Sequence, residues 1–301
     1  WLAAGAEAKK RWVLYAASIH GGSGIIERLK HQIKEWPKQA RGMIACEAVQ
    51  ALSLNPLPQA LLAVDGISRK FKYRQVKTAA ENALNFAANQ LDISREELAD
   101  RIVPDLGFDD KMGRDFDYGE RKFRVTITPA LEIEVFDEKG KKLKNLPAPG
   151  KKDDEKRAAA AYKEFKQMKK QMKEIVTSQK FRLEQALSSA RCWSVEAWNG
   201  LFVKNPIMHQ FATGLVWGIY EKEKLVQSFR YMEDGSFNTQ DEEEYLLPVG
   251  KIGLVHPVEL SEQDLEAWRQ QLEDYEIIQP FLQLERPVFI TGQEELPQRE
   301  L

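Results

Sequence analysis

The sequence predicts an α+β protein: an array of closely spaced helices, then a β-hairpin, one long helix and a mixed α+β domain. Three observations carry this. Apolar residues recur at helical spacing through the first hundred residues and again between 158 and 190. Period-two alternation takes over at Phe123, Val125 and Ile127 and returns after 215. Cap and turn residues (Ser94, Ser194, Asn205-Pro206, Asp234-Gly235 and Ser261) sit at the edges of these stretches.

The 301 residues suit about two domains. Hydrophobic residues make up 43% and charged residues 30%, which excludes global disorder. A net charge of -2 removes the simplest argument for a dedicated nucleic-acid binder. Cys46 and Cys192 lie far apart with no ligand-like spacing, which fits a reducing compartment and packing roles. No apolar run approaches the roughly 18 residues that span a bilayer, and no charged-then-apolar leader opens the chain. The expectation is a soluble cytoplasmic protein with no membrane partner. The chain begins at Trp1 within a helical pattern, as a segment cut from a longer protein would.

Helices are expected over Ala6 to Ser18, broken by the GGSG at Gly21 to Gly24, and over Ile25 to Glu35, stopped before Trp36-Pro37. A third carries Met43, Ile44, Ala48 and Leu52 until Asn55-Pro56; two more run from Pro58 to Phe71 and from Arg74 to Gln90. Ser94 begins a short one, with an acid three residues on. Their Ala-rich faces allow close antiparallel approach, so residues 1–104 read as a HEAT-like array or an irregular helical bundle without a clean repeat.

Residues 105–150 read as a hairpin (Phe123 to Ile127 with Leu131 to Val135) followed by a basic, Pro- and Gly-punctuated linker. Residues 151–301 read as an α+β domain led by a helix from Ala158 to Ala190, with Phe165, Met168, Met172, Ile175, Gln179, Leu183 and Leu187 on one stripe. Between Lys151 and Glu184 eleven basic residues stand against six acidic ones. A solvated helix with intrahelical Glu-Lys pairs is the favoured reading over phosphate contact, since no aromatic residues are interleaved on exposed positions for base stacking. Ser194 caps VEAWNGLFV, Asn205-Pro206 opens another helix, and Leu215 to Tyr220 pairs with Leu225 to Tyr231 across EKEK. After an acidic loop at Asp241 to Glu244, KIGLVHP reads as a buried strand, Ser261 caps LEAWRQQLEDY, and EIIQPFLQLERPVFITG reads as extended edge strands.

The chemistry-bearing residues form no recognisable catalytic signature. His20, His31, His209 and His256 have no metal-ligand spacing, and no GxSxG, GxxxxGK or GxGxxG occurs. GGSG reads as a helix-helix turn, and Asp109, Asp110, Asp115 and Asp117 as an exposed turn lacking the ordered spacing of a Ca²⁺ loop. No metal and no cofactor is expected. His256, ending an apolar strand, reads as a neutral imidazole with one nitrogen satisfied; Arg230 reads as one half of a structural ion pair with Asp234.

The blocks AVDGISRKFKYRQVKTAAENAL, REELADRIVPDLGFD, DYGERKF, LKNLPAPGKKDDE, LVWGIY, FRYMEDGSF, VGKIGLVHP and YEIIQPFLQLERPV occur in this order. In them the chain resembles the bacterial family called domain of unknown function 4132, to which proteins labelled molybdate metabolism regulators belong. The resemblance spans Ala60 to Val288; the first 55 residues resemble it only as generic helices. It implies a large cytoplasmic protein with helical repeats ahead of this region and no established reaction. Some members carry a WGR module, but Trp217-Gly218 is here followed by Ile219. The resemblance points to Trp217, Tyr220, Arg230, Asp234, His256, Gln279, Gln283 and Arg286 as candidate ligand or interaction residues, and leaves catalytic residues unknown.

The expected function is a non-catalytic interaction or regulatory module of a larger protein, its partner another protein or other domains of the same chain. One alternative is an enzyme or small-ligand domain in which His256, Arg230 and the QPFLQLERP residues line a pocket. A weaker one is a nucleic-acid-associated module using the basic linker and long helix.

Overall fold

In a computed structural model of the chain, residues 1, 6–246 and 250–288 are described. They fall into two compact units, divided between Pro104 and Asp105. The first is built from α1 (Trp12–His20), α2 (Ser23–Glu35), α3 (Gly42–Ser53), α4 (Pro58–Lys70), α5 (Arg74–Gln90) and α6 (Arg95–Arg101). Helix α3 packs against α1, α2, α4 and α5. It can do so because Ala45, Ala48, Val49, Ala51 and Leu52 are all fully buried, and small side chains let helix axes approach closely. The Asn55 amide donates to Ser18 O (2.7 Å) and Gly21 O (2.9 Å) while its Oδ1 accepts from Leu57 N, so one side chain ties two interhelical turns together. The capping box at Ser94 and Glu97 forms as its spacing demands. Gly24 lies inside α2, so the GGSG break is confined to its first two glycines.

The second unit starts with a four-stranded antiparallel meander: β1 (Gly113–Asp117), β2 (Lys122–Ile127), β3 (Ile133–Asp137) and β4 (Lys142–Leu143). The expected hairpin is its centre. Two expectations are corrected here. Only Asp109 and Asp110 lie in the exposed turn; Asp115 and Asp117 belong to strand β1, where Arg124 on β2 holds Asp115 (3.0 Å) together with Asp109 (2.5 Å) and Arg157 meets Asp117 (3.8 Å). The stretch read as a linker is packed: it contributes β4, buries Leu146, and its Pro147 carbonyl accepts from Tyr118.

Helix α7 (Glu155–Ser188) is capped by Asp154, whose side chain accepts from Arg157 N. It buries the expected stripe, and Phe165 meets Phe116 of β1 edge-on at 5.6 Å. Next come β5 (Cys192–Ser194), α8 (Val195–Trp198), a π-turn over Asn199–Val203, and α9 (Pro206–Thr213) with Asn205 as its cap. Strands β6 (Val216–Glu221), β7 (Lys224–Tyr231), β8 (Phe237–Asn238) and β9 (Lys251–Leu254) join β5 in a second antiparallel sheet of order β5-β9-β6-β7-β8. Helix α10 (Glu262–Asp274) follows, with Ser261 accepting from Asp264 N.

This sheet is buried on both faces. On one, Trp217 and Phe229 join Trp193, Trp198, Phe202, Tyr231 and Phe237 in a set of edge-on aromatic contacts. On the other, Val216 and Val255 pack with Trp268 and Leu272 of α10. Edge strands are expected from Glu276 to Gly292; residues 289–292 lie outside the described residues, and from Glu276 to Val288 there is no strand, the chain crossing the sheet end in irregular form with Leu284 and Gln283 buried. Its prolines at 280 and 287 withhold ladder donors, and a side chain replaces the ladder, as described below.

Gly218 and Gly253 are direct register partners on β6 and β9. Their bare backbones make room for the Tyr220 ring: a Cβ on Gly253 would lie 2.9 Å from Tyr220 Cε2 and 3.0 Å from Cys192 Sγ. Gly253→Ala is therefore expected to destabilise the second unit by about 1–3 kcal/mol through overpacking, read as a lower urea midpoint with an unchanged slope.

Candidate functional site

Period-two alternation on β7 puts Ser228 and Arg230 on the face that α10 covers. Helical spacing on α10 puts Trp268, Gln271 and Tyr275 opposite them. Trp268 Nε1 donates to Ser228 Oγ (2.9 Å), and Arg230 Nη1 donates to Gln271 Oε1 (2.9 Å). Gln271 is oriented by its own amide, which donates to Thr239 O (3.0 Å) and more distantly to Gln240 O, so its oxygen has to face Arg230. The guanidinium lies 5.4 Å from the Tyr275 ring centroid, and Tyr275 donates to Glu242 (3.2 Å).

Arg230 is thus 2% exposed and held by a neutral amide and a ring. Its Nε has no hydrogen-bond partner, and among the described residues no carboxylate forms an ion pair with it. Burial draws its affinity for a proton below the ordinary arginine value, with Tyr275 and Glu242 opposing. An arginine still stays charged under these conditions, so the site holds a fixed positive charge with little protein compensation. The ion pair expected between Arg230 and Asp234 does not form. Asp234 turns instead into its own loop, accepting from Ser236 N (2.9 Å) and Ser236 Oγ (2.6 Å), because the tight turn supplies nearer donors.

Arg230 and Asp234 are among the residues that line a cleft of about 700 Å³. Its walls are the β2–β3 connection (Thr128, Pro129, Ala130, Glu132) with Glu134 of β3, the end of α9 (Thr213, Gly214), the β7 end with Met232 and Glu233, and Tyr275 to Ile278 beyond α10.

The other candidates lie elsewhere. Trp217 is fully buried in the aromatic cluster, its Nε1 donating to Ala212 O (3.0 Å). Tyr220 donates to Glu259 Oε2 (2.8 Å) and Leu254 O; burial and Glu259 raise its hydroxyl pKa well above the ordinary value. His256 caps the turn at Pro257–Glu259, Nδ1 accepting from Val258 N (3.2 Å) while its own N–H donates to Glu259. Burial and the charge of Arg286 lower its pKa. Gln283 accepts from Val216 N (3.0 Å) and donates to Val216 O (2.7 Å) and Val255 O (3.0 Å), replacing a missing strand with one amide. Gln279 braces Gln283 (3.0 Å), and Arg286 reaches Glu184 (3.4 Å) and Ser188 on α7. His256, Gln279, Gln283 and Arg286 are therefore fastening residues, and the pocket envisaged around His256 and the QPFLQLERP stretch is not the cleft that Arg230 lines.

A family model described as Domain of unknown function (DUF4132) matches residues 140–301. The chain belongs to this family. The DUF4132 chain is 34% identical over 299 residues to "Uncharacterized protein YehI" of Escherichia coli (strain K12), an alignment that covers 98% of the chain and 25% of that protein. It therefore spans about a quarter of the relative's length. No solved structure matches it.

Residues that sequence reasoning missed include Gln271, Tyr275 and the acids Glu132, Glu134, Glu233 and Glu276. For Gln271 and Tyr275 a signal existed, polar residues on the apolar stripe of α10; for the acids of the β2–β3 connection none did.

In this DUF4132 chain Gln283→Leu should cost about 1–3 kcal/mol by orphaning Val216 N and two carbonyls, seen as a lower urea midpoint and faster hydrogen exchange at Val216. A pH effect is also expected. His209 is buried, shares a 3.2 Å hydrogen bond with Tyr231, and burial pulls its pKa below 6.5. The unfolded chain protonates this histidine first, so the stability it contributes above about pH 6.5 is lost as pH falls toward the folded value. His209→Gln should show a shallower decline of urea midpoint between about pH 7 and pH 5 than the parent.

Proposed function

We propose that this chain is a recognition segment of a longer bacterial protein, regulatory and not catalytic, and that its cleft receives an anionic group from a ligand, a protein partner or another domain of the same chain. The observation that carries this reading is the buried guanidinium of Arg230, a residue of the cleft lining, oriented by Gln271 and without a carboxylate partner among the described residues. A buried charge left unpaired is costly, and a planar guanidinium with free donors is matched by a carboxylate. Arg230 keeps its proton and so serves binding and orientation, not acid–base chemistry. Two free cysteines support a reducing, cytoplasmic setting.

The resemblance to proteins labelled molybdate metabolism regulators is compatible with a regulatory role. It does not make the cleft a molybdate site: five carboxylates, Glu132, Glu134, Glu233, Asp234 and Glu276, line it beside one guanidinium, and they would repel a dianion.

Titration of the chain with acetate, followed through the Nε–H resonances of its arginines, is expected to shift the Arg230 signal saturably. Arg230→Met should remove that shifting signal, and Arg230→Lys should weaken acetate binding while keeping the charge. An Arg230 resonance that acetate leaves in place would overturn the reading.

A further inference from the structure

We infer that the cleft takes a ligand carrying one carboxylate and at least one amine, as a basic amino acid or the C-terminal residue of a basic peptide does; this rests on the preceding reading that Arg230 receives an anion. The charges around the cleft are lopsided. Arg230 is its one cationic lining residue among those described, against Glu132, Glu134, Glu233, Asp234 and Glu276. Two of these acids are already engaged, Glu134 by Lys142 and Asp234 by Ser236. Glu132, Glu233 and Glu276 make no ion pair among the described residues, and all three are exposed.

The cleft therefore has a positive floor and a negative rim. A ligand of purely negative charge meets repulsion on entry, and one of purely positive charge leaves the guanidinium unpaired. A molecule with both signs satisfies each: its carboxylate pairs with the Arg230 donors, and its amine lies among the rim carboxylates. Met232, Ile277 and Ile278 offer apolar surface for a methylene stem between the two. The volume, about 700 Å³, lies within the range of small-ligand sites.

Calorimetric titration of the 301-residue chain with acetate, cadaverine and L-lysine separates the contributions. L-lysine is expected to bind at least about tenfold more tightly than acetate, the equivalent of one charge-assisted hydrogen bond. The double variant Glu233→Gln/Glu276→Gln alters only exposed side chains, and should abolish the preference for L-lysine over acetate, weakening L-lysine while acetate binds no more weakly than to the parent. Ala-Ala-Lys, compared with L-lysine, distinguishes a peptide end from a free amino acid, and tighter binding of either over acetate supports the inference. Acetate binding as tightly as both L-lysine and Ala-Ala-Lys, or a double variant that still prefers the tighter of these two over acetate, overturns it and leaves the anion reading intact. Cadaverine binding as tightly as L-lysine also overturns it, since the carboxylate would then contribute nothing. If neither acetate nor L-lysine binds, both readings fall.

Discussion

The second unit depends on covering both faces of one antiparallel sheet. Strand β6 has Trp217 on one side, locked among edge-on aromatic rings, and Val216 on the other, under Trp268 of α10. Such a strand cannot tolerate loose ends, because every backbone group near it lies away from water. Gln283 answers that need at the end of the sheet, with one amide saturating Val216 N, Val216 O and Val255 O. The irregular tail beyond α10 is thus part of the core.

The same covering creates the candidate site. Strand alternation that places Val216 under α10 also places its register partner Arg230 there. Apolar neighbours alone would make this a poor position for a guanidinium. The helix supplies Gln271 and Tyr275, which position the charge without neutralising it, and the cleft supplies the open side. Protein interiors usually pair a buried arginine with a carboxylate, and five carboxylates lie along this cleft. That none of them pairs with Arg230 is the feature that distinguishes a receiving site from a structural ion pair.

Much of the fold was legible locally. Ser94, Ser194, Asn205 and Ser261 cap helices as their spacing requires, since an N-cap is satisfied by a donor two or three residues away. The β6–β7 hairpin and the stripe of α7 were equally plain, because alternation and helical period are local properties. Strand β1 was hidden by its aspartates, Asp115 paired with Arg124 of the neighbouring strand and Asp117 with Arg157 of α7. The tail was misread for a related reason: prolines and apolar residues resemble an edge strand, and only the reach of Gln283 across 67 residues reveals a substitute for one.

The sequence by itself determined the α+β class, the caps, the hairpin and the membership signal in its collinear blocks, all of which rest on short-range geometry or direct comparison. Tertiary structure alone decided which candidates meet. Arg230 shares a cleft with Thr128 and Glu132 from the β2–β3 connection and with Tyr275 beyond α10, whereas His256, Gln283 and Arg286 fasten the segment after α10. The physical reason is that spacing along a chain specifies which face a residue occupies, but not which distant element packs on that face. The electrostatic partner of a buried charge depends entirely on the second of these.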